Sequence, residues 1–447
     1  MSMWGEDASF EATGLDQDLI KAVRACGFER PTRIQEEAIP AILRGKNTVI
    51  GAETGSGKTL AYLLPVMQRM LKQMAEEGTT DFGPNPRALV LVPNQELAMQ
   101  VALMMQRLSR TQLARDFPCV VVAGSSGLPI FSSCSILIAT PSALLRYTEP
   151  EMLDQVKALV VDEADMLMQG GFEDDVRKIL DYLCPRISNT KRRMLAKQGL
   201  SEEDYVPPRP PAQVIFAAAT LPDWKGDKVK SIVRTLRLLF PDAVHINTMG
   251  LHRQSLAVET EWVEVEDEEE SLPLLLDVLD KSRGVKTMVF CNTIASAKDT
   301  HAFLLEHGWE AHMIHKEVPP AVRAEALNLL RVKSDALVVC TDIAARGIDA
   351  PNVGHVIQLQ FAPNAVTYLH RIGRTARAGS LHGKATNFID PSSRDVATAI
   401  RKEVEERKTV APVFSRNRGF RRRLKRSQAA EGSKEDGEDS GDSEESK

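Results

Sequence analysis

Two successive sets of short apolar runs, each followed by stretches with helical periodicity, place the strongest limit on the fold. The first set comprises 47–55, 87–95, 119–124, 135–140, 158–165 and 213–220. The second comprises 258–266, 287–293, 311–315, 336–342, 355–361 and 384–390. Nearly continuous apolar runs are typical of strands buried on both faces, as in a parallel sheet covered by helices. The pattern predicts two tandem α/β domains, each with a doubly wound parallel sheet, and a cleft between them.

The length of 447 residues suits two domains of ordinary size with extensions. A stretch with turn residues and weak periodicity, near 240–255, marks the predicted boundary. The predicted segments are an N-terminal region (1–36), a first domain (37–242), a linker (243–255), a second domain (256–408) and a tail (409–447).

Charge is distributed unevenly along this mildly acidic chain, whose formal net charge is -5. The basic stretch 416–426 is a nucleic-acid-binding arm, a nuclear address or a solvated tail without a partner. The acidic, apolar-free stretch 431–447 is predicted to be disordered. A charged and then Pro-rich stretch at about 185–213 indicates a surface insertion. Its cations either touch a polyanion or have no role; they are Lys191, Arg192, Arg193 and Lys197.

Cysteine usage and apolar run lengths bear on the compartment. The six cysteines are scattered without a CxxC pair, which favours free thiols in a reducing, intracellular compartment. The longest apolar runs have strand length, so no membrane partner is expected. Residues 1–14 have neither the apolar core of a secretion signal nor the Arg-rich character of a transit peptide. We expect a nuclear, nucleolar or cytoplasmic protein, with mitochondrion and plastid left open.

The stretch AETGSGKT at 52–59 follows a predicted strand and precedes a helical run. It fits the phosphate-loop template GxxxxGK[ST], with Ala52 at the first position. In such a loop the backbone N–H groups point into one cavity, Lys58 reaches the terminal phosphates and the Thr59 hydroxyl is placed for Mg²⁺. The sequence therefore predicts ATP and Mg²⁺ as cofactors.

A buried strand at 160–165 ends in two adjacent carboxylates, Asp162 and Glu163. Beside a phosphate loop, Asp162 is suited to hold Mg²⁺ and Glu163 to polarise the attacking water. Lys58, Asp162 and Glu163 are therefore the predicted catalytic residues of the first domain.

Three arginines recur at every third residue in HRIGRTARAG, 370–379. Residues three apart lie side by side on a helix, so Arg371, Arg374 and Arg377 could share one face. A nucleotide site split between two domains needs positive charge on the second to meet the γ-phosphate. Arg374 and Arg377 are our catalytic candidates for that role.

These motifs, taken together, resemble those of the DEAD-box ATP-dependent RNA helicases of superfamily 2, from about Phe10 to about Asp390. The resemblance implies two tandem RecA-like domains. The matching stretches are GFERPTRIQ (27–35), AETGSGKT (52–59), DEAD (162–165), TPSA (140–143), VFCNT (289–293), TDIAARGID (341–349) and HRIGRTARAG (370–379).

The resemblance also assigns roles to individual residues. Phe28 would stack on adenine, Gln35 would read its edge and Asp349 would contact the ribose. The remaining cofactor contacts would come from Ala52, Glu53, Thr54, Gly55, Ser56, Gly57, Lys58 and Thr59. RNA contacts would come from Pro93, Gln95, Gly124, Thr140, Pro141, Arg323, Thr341 and Arg346. Ala218, Thr220 and His370 would couple the two sites, and Arg346 would couple RNA to ATP.

Several positions depart from the family pattern. Ala218 stands where the family usually has serine, which predicts unwinding weaker than hydrolysis. Asn94 and Gln95 replace Thr-Arg, and Ala143 replaces arginine, so two positive charges are missing from the expected RNA face. The basic stretch 416–426 could compensate by tethering RNA.

Three functions follow from these observations. The first is a monomeric RNA-dependent ATPase that unwinds short duplexes or remodels ribonucleoprotein with little sequence preference, with ribosome assembly as one setting. The second is an ATP-gated RNA clamp or scaffold with weak unwinding. The third, a DNA translocase, is disfavoured by the DEAD tetrad and the glutamine motif that contains Gln35.

Overall fold

A computed structural model describes most of the chain outside its two ends. The described residues are 8–79, 81–111, 117–124, 127, 129, 132–168, 171–185, 210–221, 231–267, 270–342, 353–376 and 382–413. The chain divides into two compact units between Leu251 and His252. The predicted insertion lies almost entirely outside the described residues, and its four cations lie wholly outside them. Residues 414–447 of the predicted tail also lie outside them.

The first unit is built on a seven-stranded parallel sheet in the order β3-β4-β2-β5-β6-β1-β7. Its strands are β1 (Thr48–Gly51), β2 (Ala88–Leu91), β3 (Cys119–Val122), β4 (Ile136–Ala139), β5 (Ala158–Asp162), β6 (Gln213–Ala218) and β7 (Val244–Asn247). Its helices are α1 (Gln17–Ala25), α2 (Arg33–Leu43), α3 (Lys58–Glu77), α4 (Gln95–Ser109), α5 (Pro141–Tyr147), α6 (Ala164–Leu167), α7 (Glu173–Leu183) and α8 (Ile232–Leu239).

Each central strand of this sheet supplies side chains to two separate apolar cores. Val49 packs in one core and the next residue, Ile50, in the other. Leu159 and Val160 divide in the same way. Side chains alternate between the faces of a strand, so apolar residues at consecutive positions require helices on both sides. This is the arrangement that the continuous apolar runs predict.

Residues 8–36 of the predicted N-terminal region belong to the first unit, which corrects the predicted boundary at 36/37. That boundary falls inside α2. Phe10 is completely buried in the same core as α2 and α3. The backbone N–H of Asp16 donates to Oε1 of Gln68 on α3 at 2.7 Å. The region therefore braces the helix that follows the phosphate loop.

The predicted linker 243–255 also needs correction, because it begins with a strand. β7 pairs in parallel with β1, with Val244 opposite Thr48 and Asn247 opposite Gly51. β7 lies at the sheet edge and is only partly buried, so it has no continuous apolar run from which a strand could be predicted. The passage between the units is correspondingly shorter than predicted.

The second unit has a six-stranded parallel sheet in the order β10-β11-β9-β12-β13-β8. Its strands are β8 (Val258–Glu264), β9 (Thr287–Cys291), β10 (Ala311–Ile314), β11 (Leu337–Thr341), β12 (His355–Gln358) and β13 (Gly383–Ile389). Its helices are α9 (Ser271–Asp280), α10 (Ile294–Glu306), α11 (Pro320–Val332), α12 (Ala365–Ile372) and α13 (Arg394–Glu405). The predicted class, two parallel α/β domains in tandem, is confirmed.

The predicted tail begins too early at 409. Val410 and Val413 are buried, and the N–H of Val410 donates to the carbonyl of His252 at 2.9 Å. Residues 409–413 therefore belong to the second unit. In the part of the chain that the structure describes, no helix is long and apolar enough to cross a membrane. All six cysteines are free thiols.

His355 gives the second unit a pH-dependent stability. Its ring nitrogens are hydrogen-bonded to the hydroxyls of Ser282 at 3.0 Å and Thr386 at 2.9 Å. Burial, helped by the charge of Lys384 and opposed by that of Glu261, lowers the pKa of His355 from 6.5 to about 4. Below pH 6.5 His355 therefore binds a proton in the unfolded chain, whereas in the folded unit it stays neutral until the pH approaches 4.

We expect the second unit to lose stability as pH falls from 6.5 towards 4. Each pKa unit corresponds to about 1.4 kcal/mol, so the loss across this window is roughly 3 kcal/mol in the free energy of unfolding. Urea unfolding at a series of pH values measures it. His355→Gln should flatten the dependence, whereas His307→Gln, at an exposed position after α10, should leave it intact. An unchanged slope in His355→Gln would contradict the assignment.

Candidate active site

The predicted site residues of the first unit lie at the carboxyl edge of its sheet, in two neighbouring halves. The stretches 52–59, 162–165 and 218–220 follow β1, β5 and β6, which are adjacent strands. The predicted RNA residues follow β2, β3 and β4, which are adjacent on the other side of β5. Carboxyl ends of parallel strands are where ligands of open α/β sheets bind.

The phosphate loop is folded around the ammonium group of Lys58. Lys58 Nζ donates to the carbonyl oxygens of Ala52 at 2.6 Å and Glu53 at 3.0 Å. The Ser56 hydroxyl donates to the same Glu53 carbonyl at 2.7 Å. Burial lowers the pKa of Lys58, while nearby carboxylates, led by Glu163 and Asp162, oppose that shift. The loop is thus a compact turn with its cation held inside.

Gln35 ties the N-terminal region to this loop. Its Nε2 donates to the carbonyl of Gly57 at 3.0 Å, and its Oε1 accepts from the N–H of Thr32 at 2.9 Å. Gly57 has φ +93°, and a Cβ there would lie 2.4 Å from Gln35 Nε2. Phe28, predicted to stack on adenine, is half-buried against the apolar core. The structure therefore gives Gln35 a second role, as a support of the loop.

The loop residues differ in exposure. Ala52 and Ser56 are buried, whereas Gly55, at φ +81°, is exposed at the tip of the turn. Thr54 and Thr59 are half-buried. The carboxylate of Glu53 accepts a hydrogen bond from the hydroxyl of Thr248, just after β7.

Asp162 and Glu163 form a buried acidic pair at the end of β5. They are 4% and 8% exposed. The N–H of Glu163 donates to Asp162 Oδ1 at 2.9 Å. Burial first, and then the charge of Glu163, raise the pKa of Asp162 to about 6. Glu163 has a left-handed backbone, at φ 49°.

A hydrogen bond from Tyr62 to Asp162 was not predicted. The Tyr62 hydroxyl donates to Asp162 Oδ2 at 2.8 Å, and its side chain is completely buried. Burial, followed by the charge of Asp162, raises the pKa of Tyr62 well above its ordinary value. Tyr62 lies one helical turn after Thr59 on α3, so spacing from the phosphate loop is the signal that could have identified it.

Thr220 and Ala218 connect the end of β6 to two neighbouring loops, the DEAD loop and the phosphate loop. The backbone N–H of Thr220 donates to Asp165 Oδ2 at 3.0 Å, and its hydroxyl donates to the same oxygen. The carbonyl of Ala218 accepts from the N–H of Ala52 at 3.1 Å, and the methyl group of Ala218 is buried in the apolar core. Two of the three predicted coupling residues, Ala218 and Thr220, thus lie in the ATP half of the edge.

The predicted RNA residues of the first unit are all uncharged. Gln95 begins α4 after the buried Pro93. A Cβ on Gly124 would lie 3.2 Å from Gln95 Oε1, so these two predicted residues are neighbours. The N–H of Thr140 donates to the carbonyl of Val122 at 3.1 Å, and Pro141 begins α5. The structure therefore brings together the loops of β2, β3 and β4.

In the second unit, Arg323 lies on α11, which follows β10, and Thr341 lies on the neighbouring strand β11. Arg323 Nη1 donates to the carbonyl of Val318 at 3.1 Å, in the loop after β10. Thr341 is the last residue of β11. His370 is buried in the last turn of α12, and its carbonyl accepts from Arg374 Nε at 3.1 Å. Arg346, Asp349 and Arg377 lie outside the described residues and stay predictions.

The expectation that three arginines share one helix face is wrong, because α12 ends at Ile372. Arg371 is 1% exposed and pairs with Asp342, Nε to Oδ1 at 2.6 Å and Nη2 to Oδ2 at 2.8 Å. Its Nη2 also donates to Asn292 Oδ1 at 2.6 Å, and its Nη1 to the carbonyl of Gln360 at 2.7 Å. Arg371 therefore fastens the segments that follow β9, β11 and β12 to one another.

Comparison with known proteins gives consistent matches over both units. Residues 32–228 match the family described as DEAD/DEAH box helicase, and residues 270–379 match the helicase conserved C-terminal domain. DEAD-box ATP-dependent RNA helicase 22 of Oryza sativa subsp. japonica is 33% identical over 94% of this chain and 84% of its own length. The Arabidopsis thaliana protein of the same name is 32% identical over 94% and 83%.

Solved structures share the fold. S. cerevisiae Dbp5, bound to RNA and ADP BeF3, matches with a TM-score of 0.70 at 23% identity, over 89% of this chain and 93% of that one. Mss116p, bound to ssRNA and AMP-PNP, matches with a TM-score of 0.71 at 22% identity, over 91% and 78%.

We predict that Gly57→Ala weakens ATP binding at least tenfold. Alanine strains the left-handed backbone by about 1–2 kcal/mol, and its Cβ displaces Gln35 from the loop. Gly45→Ala is the matched control, since Gly45 has φ +77° but open space around its Cβ. It should lose similar stability and keep its affinity. Titration with a fluorescent ATP analogue measures both, and equal affinities for the two variants would contradict the prediction.

Proposed function

Because this chain belongs to the DEAD-box family of ATP-dependent RNA helicases, we propose that it uses ATP binding and hydrolysis to unwind short RNA duplexes locally or to remodel ribonucleoprotein. The observation that carries the proposal is the convergence of a phosphate loop and a buried carboxylate pair on one sheet edge. Lys58, Asp162 and Glu163 influence one another electrostatically there. Their side chains supply the cation, the metal ligand and the general base that phosphoryl transfer to water requires.

The residues present fit a magnesium ion. Asp162 offers a buried carboxylate and Thr59 a hydroxyl, and such hard oxygen donors suit Mg²⁺. A bound Mg²⁺ would neutralise phosphate charge. The chain's own part is to orient these oxygens and to place Glu163 for accepting a proton from water. Lys58 exchanges the carbonyl oxygens of Ala52 and Glu53 for phosphate oxygens.

RNA binding is proposed for the edge formed by the loops of β2, β3 and β4. The structurally similar Dbp5 and Mss116p were both solved with RNA bound, which supports RNA binding by this chain. Gln95 and Ala143 bring no charge to the edge, so we expect modest affinity with a shallow dependence on salt. Backbone and phosphate contacts carry no sequence information, so little sequence preference is expected.

The second candidate function is an ATP-gated RNA clamp with weak unwinding. Ala218 favours it, because its buried methyl group cannot add a hydroxyl hydrogen bond to the one that Thr220 makes from β6 to Asp165. Against it stands the complete set of catalytic side chains in the first unit. We also propose that the protein is monomeric and has ribosome-assembly proteins as partners. We place it in an intracellular, reducing compartment. The six free thiols support the compartment.

We expect ATP hydrolysis that single-stranded RNA stimulates and matched DNA does not. Glu163→Gln should lower turnover at least a hundredfold while keeping nucleotide affinity, because general base catalysis is typically worth about 10²–10⁴-fold. Glu173→Gln, which changes a carboxylate paired with Arg177 on α7, should hydrolyse ATP normally. Steady-state phosphate release measures all three proteins.

Two outcomes separate the candidates. RNA-stimulated hydrolysis together with strand separation of a short duplex supports the helicase. Hydrolysis near background, with ATP-dependent RNA binding preserved, supports the clamp. Equal stimulation by DNA and RNA would contradict both.

A further inference from the structure

Tyr62 makes a hydrogen bond that the predicted chemistry does not include. Its side chain is 0% exposed, and its hydroxyl lies 2.8 Å from Asp162 Oδ2. The other carboxylate oxygen, Oδ1, accepts the N–H of Glu163 at 2.9 Å. Both oxygens of Asp162 are therefore fixed by donors on different elements, one on α3 and one at the start of α6.

The position of Tyr62 in the sequence places it close to the residues of the phosphate loop. It stands on α3 four residues after Lys58 and three after Thr59, so all three project from one side of the first turns of the helix. The Tyr62 hydroxyl is also hydrogen-bonded to the Thr59 side chain. Tyr62 thus lies between the two oxygen donors of the proposed magnesium site.

A phenylalanine would fill the same buried space, so apolar packing alone does not require the hydroxyl. Burying a hydroxyl is favourable only when it finds a partner. Here the partner is a buried carboxylate that also lies beside Glu163 and Lys58. A neutral donor can hold that carboxylate without adding a charge that competes with Lys58.

We propose that Tyr62 is a positioning residue that fixes the Asp162 carboxylate in the orientation that binds the nucleotide-associated Mg²⁺. The inference rests on the magnesium site of the proposed function. In this role Tyr62 would act through Asp162 and would itself contact neither nucleotide nor metal. Its hydrogen bond holds one face of Asp162 towards α3 and leaves the remaining lone pairs of the carboxylate for the ligand.

The test compares the affinity for a fluorescent ATP analogue in EDTA with the affinity in excess Mg²⁺. Tyr62→Phe removes the hydroxyl and keeps the ring. We expect unchanged affinity in EDTA and a gain on adding Mg²⁺ that is about tenfold smaller than in the unmodified protein, the size expected for a hydrogen bond to a charged group. The magnesium concentration at half-saturation should rise accordingly.

Tyr182→Phe is the matched control. The Tyr182 hydroxyl donates to Asp154 Oδ1, also at 2.8 Å and in the same unit. Its removal should leave the magnesium gain unchanged. In an Asp162→Asn background, Tyr62→Phe should have no further effect on that gain, because the double-mutant cycle then has no carboxylate to position.

The outcomes separate this inference from the function beneath it. A full magnesium gain in Tyr62→Phe, or equal losses of affinity with and without Mg²⁺, overturns the positioning role. A selective loss of the gain supports it. No magnesium gain in the unmodified protein would reject the magnesium site itself, and this inference with it. Thermal unfolding in EDTA verifies that both phenylalanine variants are folded.

Discussion

The ammonium group of Lys58 sits inside the phosphate loop, bound to the carbonyl oxygens of Ala52 and Glu53, and the neighbouring site is organised around this buried charge. Asp162 and Glu163 are the acids that balance it. Their own proximity is unfavourable, since burial and mutual repulsion raise the pKa of Asp162 to about 6. An acid with a raised pKa costs stability once the pH exceeds its ordinary value. The two apolar cores of the seven-stranded sheet offset that cost and hold the charges together.

Most strands could be predicted because their apolar residues are consecutive in sequence. β7 could not, since its residues are only partly buried at the edge of the sheet and their pattern resembles a loop. The sequence does not predict that the N-terminal region packs on the first domain, because nothing local shows that Phe10 is buried beside α2 and α3. Long-range burial of this kind depends on tertiary packing, which sequence periodicity does not encode.

Within the site, the residues that could be predicted are those close together in sequence. The phosphate loop and the DEAD tetrad each fit a local template. Tyr62 and Asp162 are 100 positions apart, and a tyrosine in an apolar helix is typical of core packing. The spacing of the arginines suggests one helix face for Arg371, Arg374 and Arg377, whereas Asp342, 29 positions before Arg371, binds it inside the second unit. Polar pairs between distant strands become visible only when the sheet order is known.

The division of the sheet edge between β1, β5 and β6 on one side and β2, β3 and β4 on the other affects how such a chain can diverge. Asn94, Gln95 and Ala143, which depart from the family motifs, lie on the second side, whereas on the first side Ala218 departs while the phosphate loop and the DEAD tetrad keep their motifs. Substitutions on separate strands need not disturb one another. Substitutions in the loops of β2, β3 and β4 can therefore alter nucleic-acid binding without replacing Lys58, Asp162 or Glu163, the side chains proposed for hydrolysis.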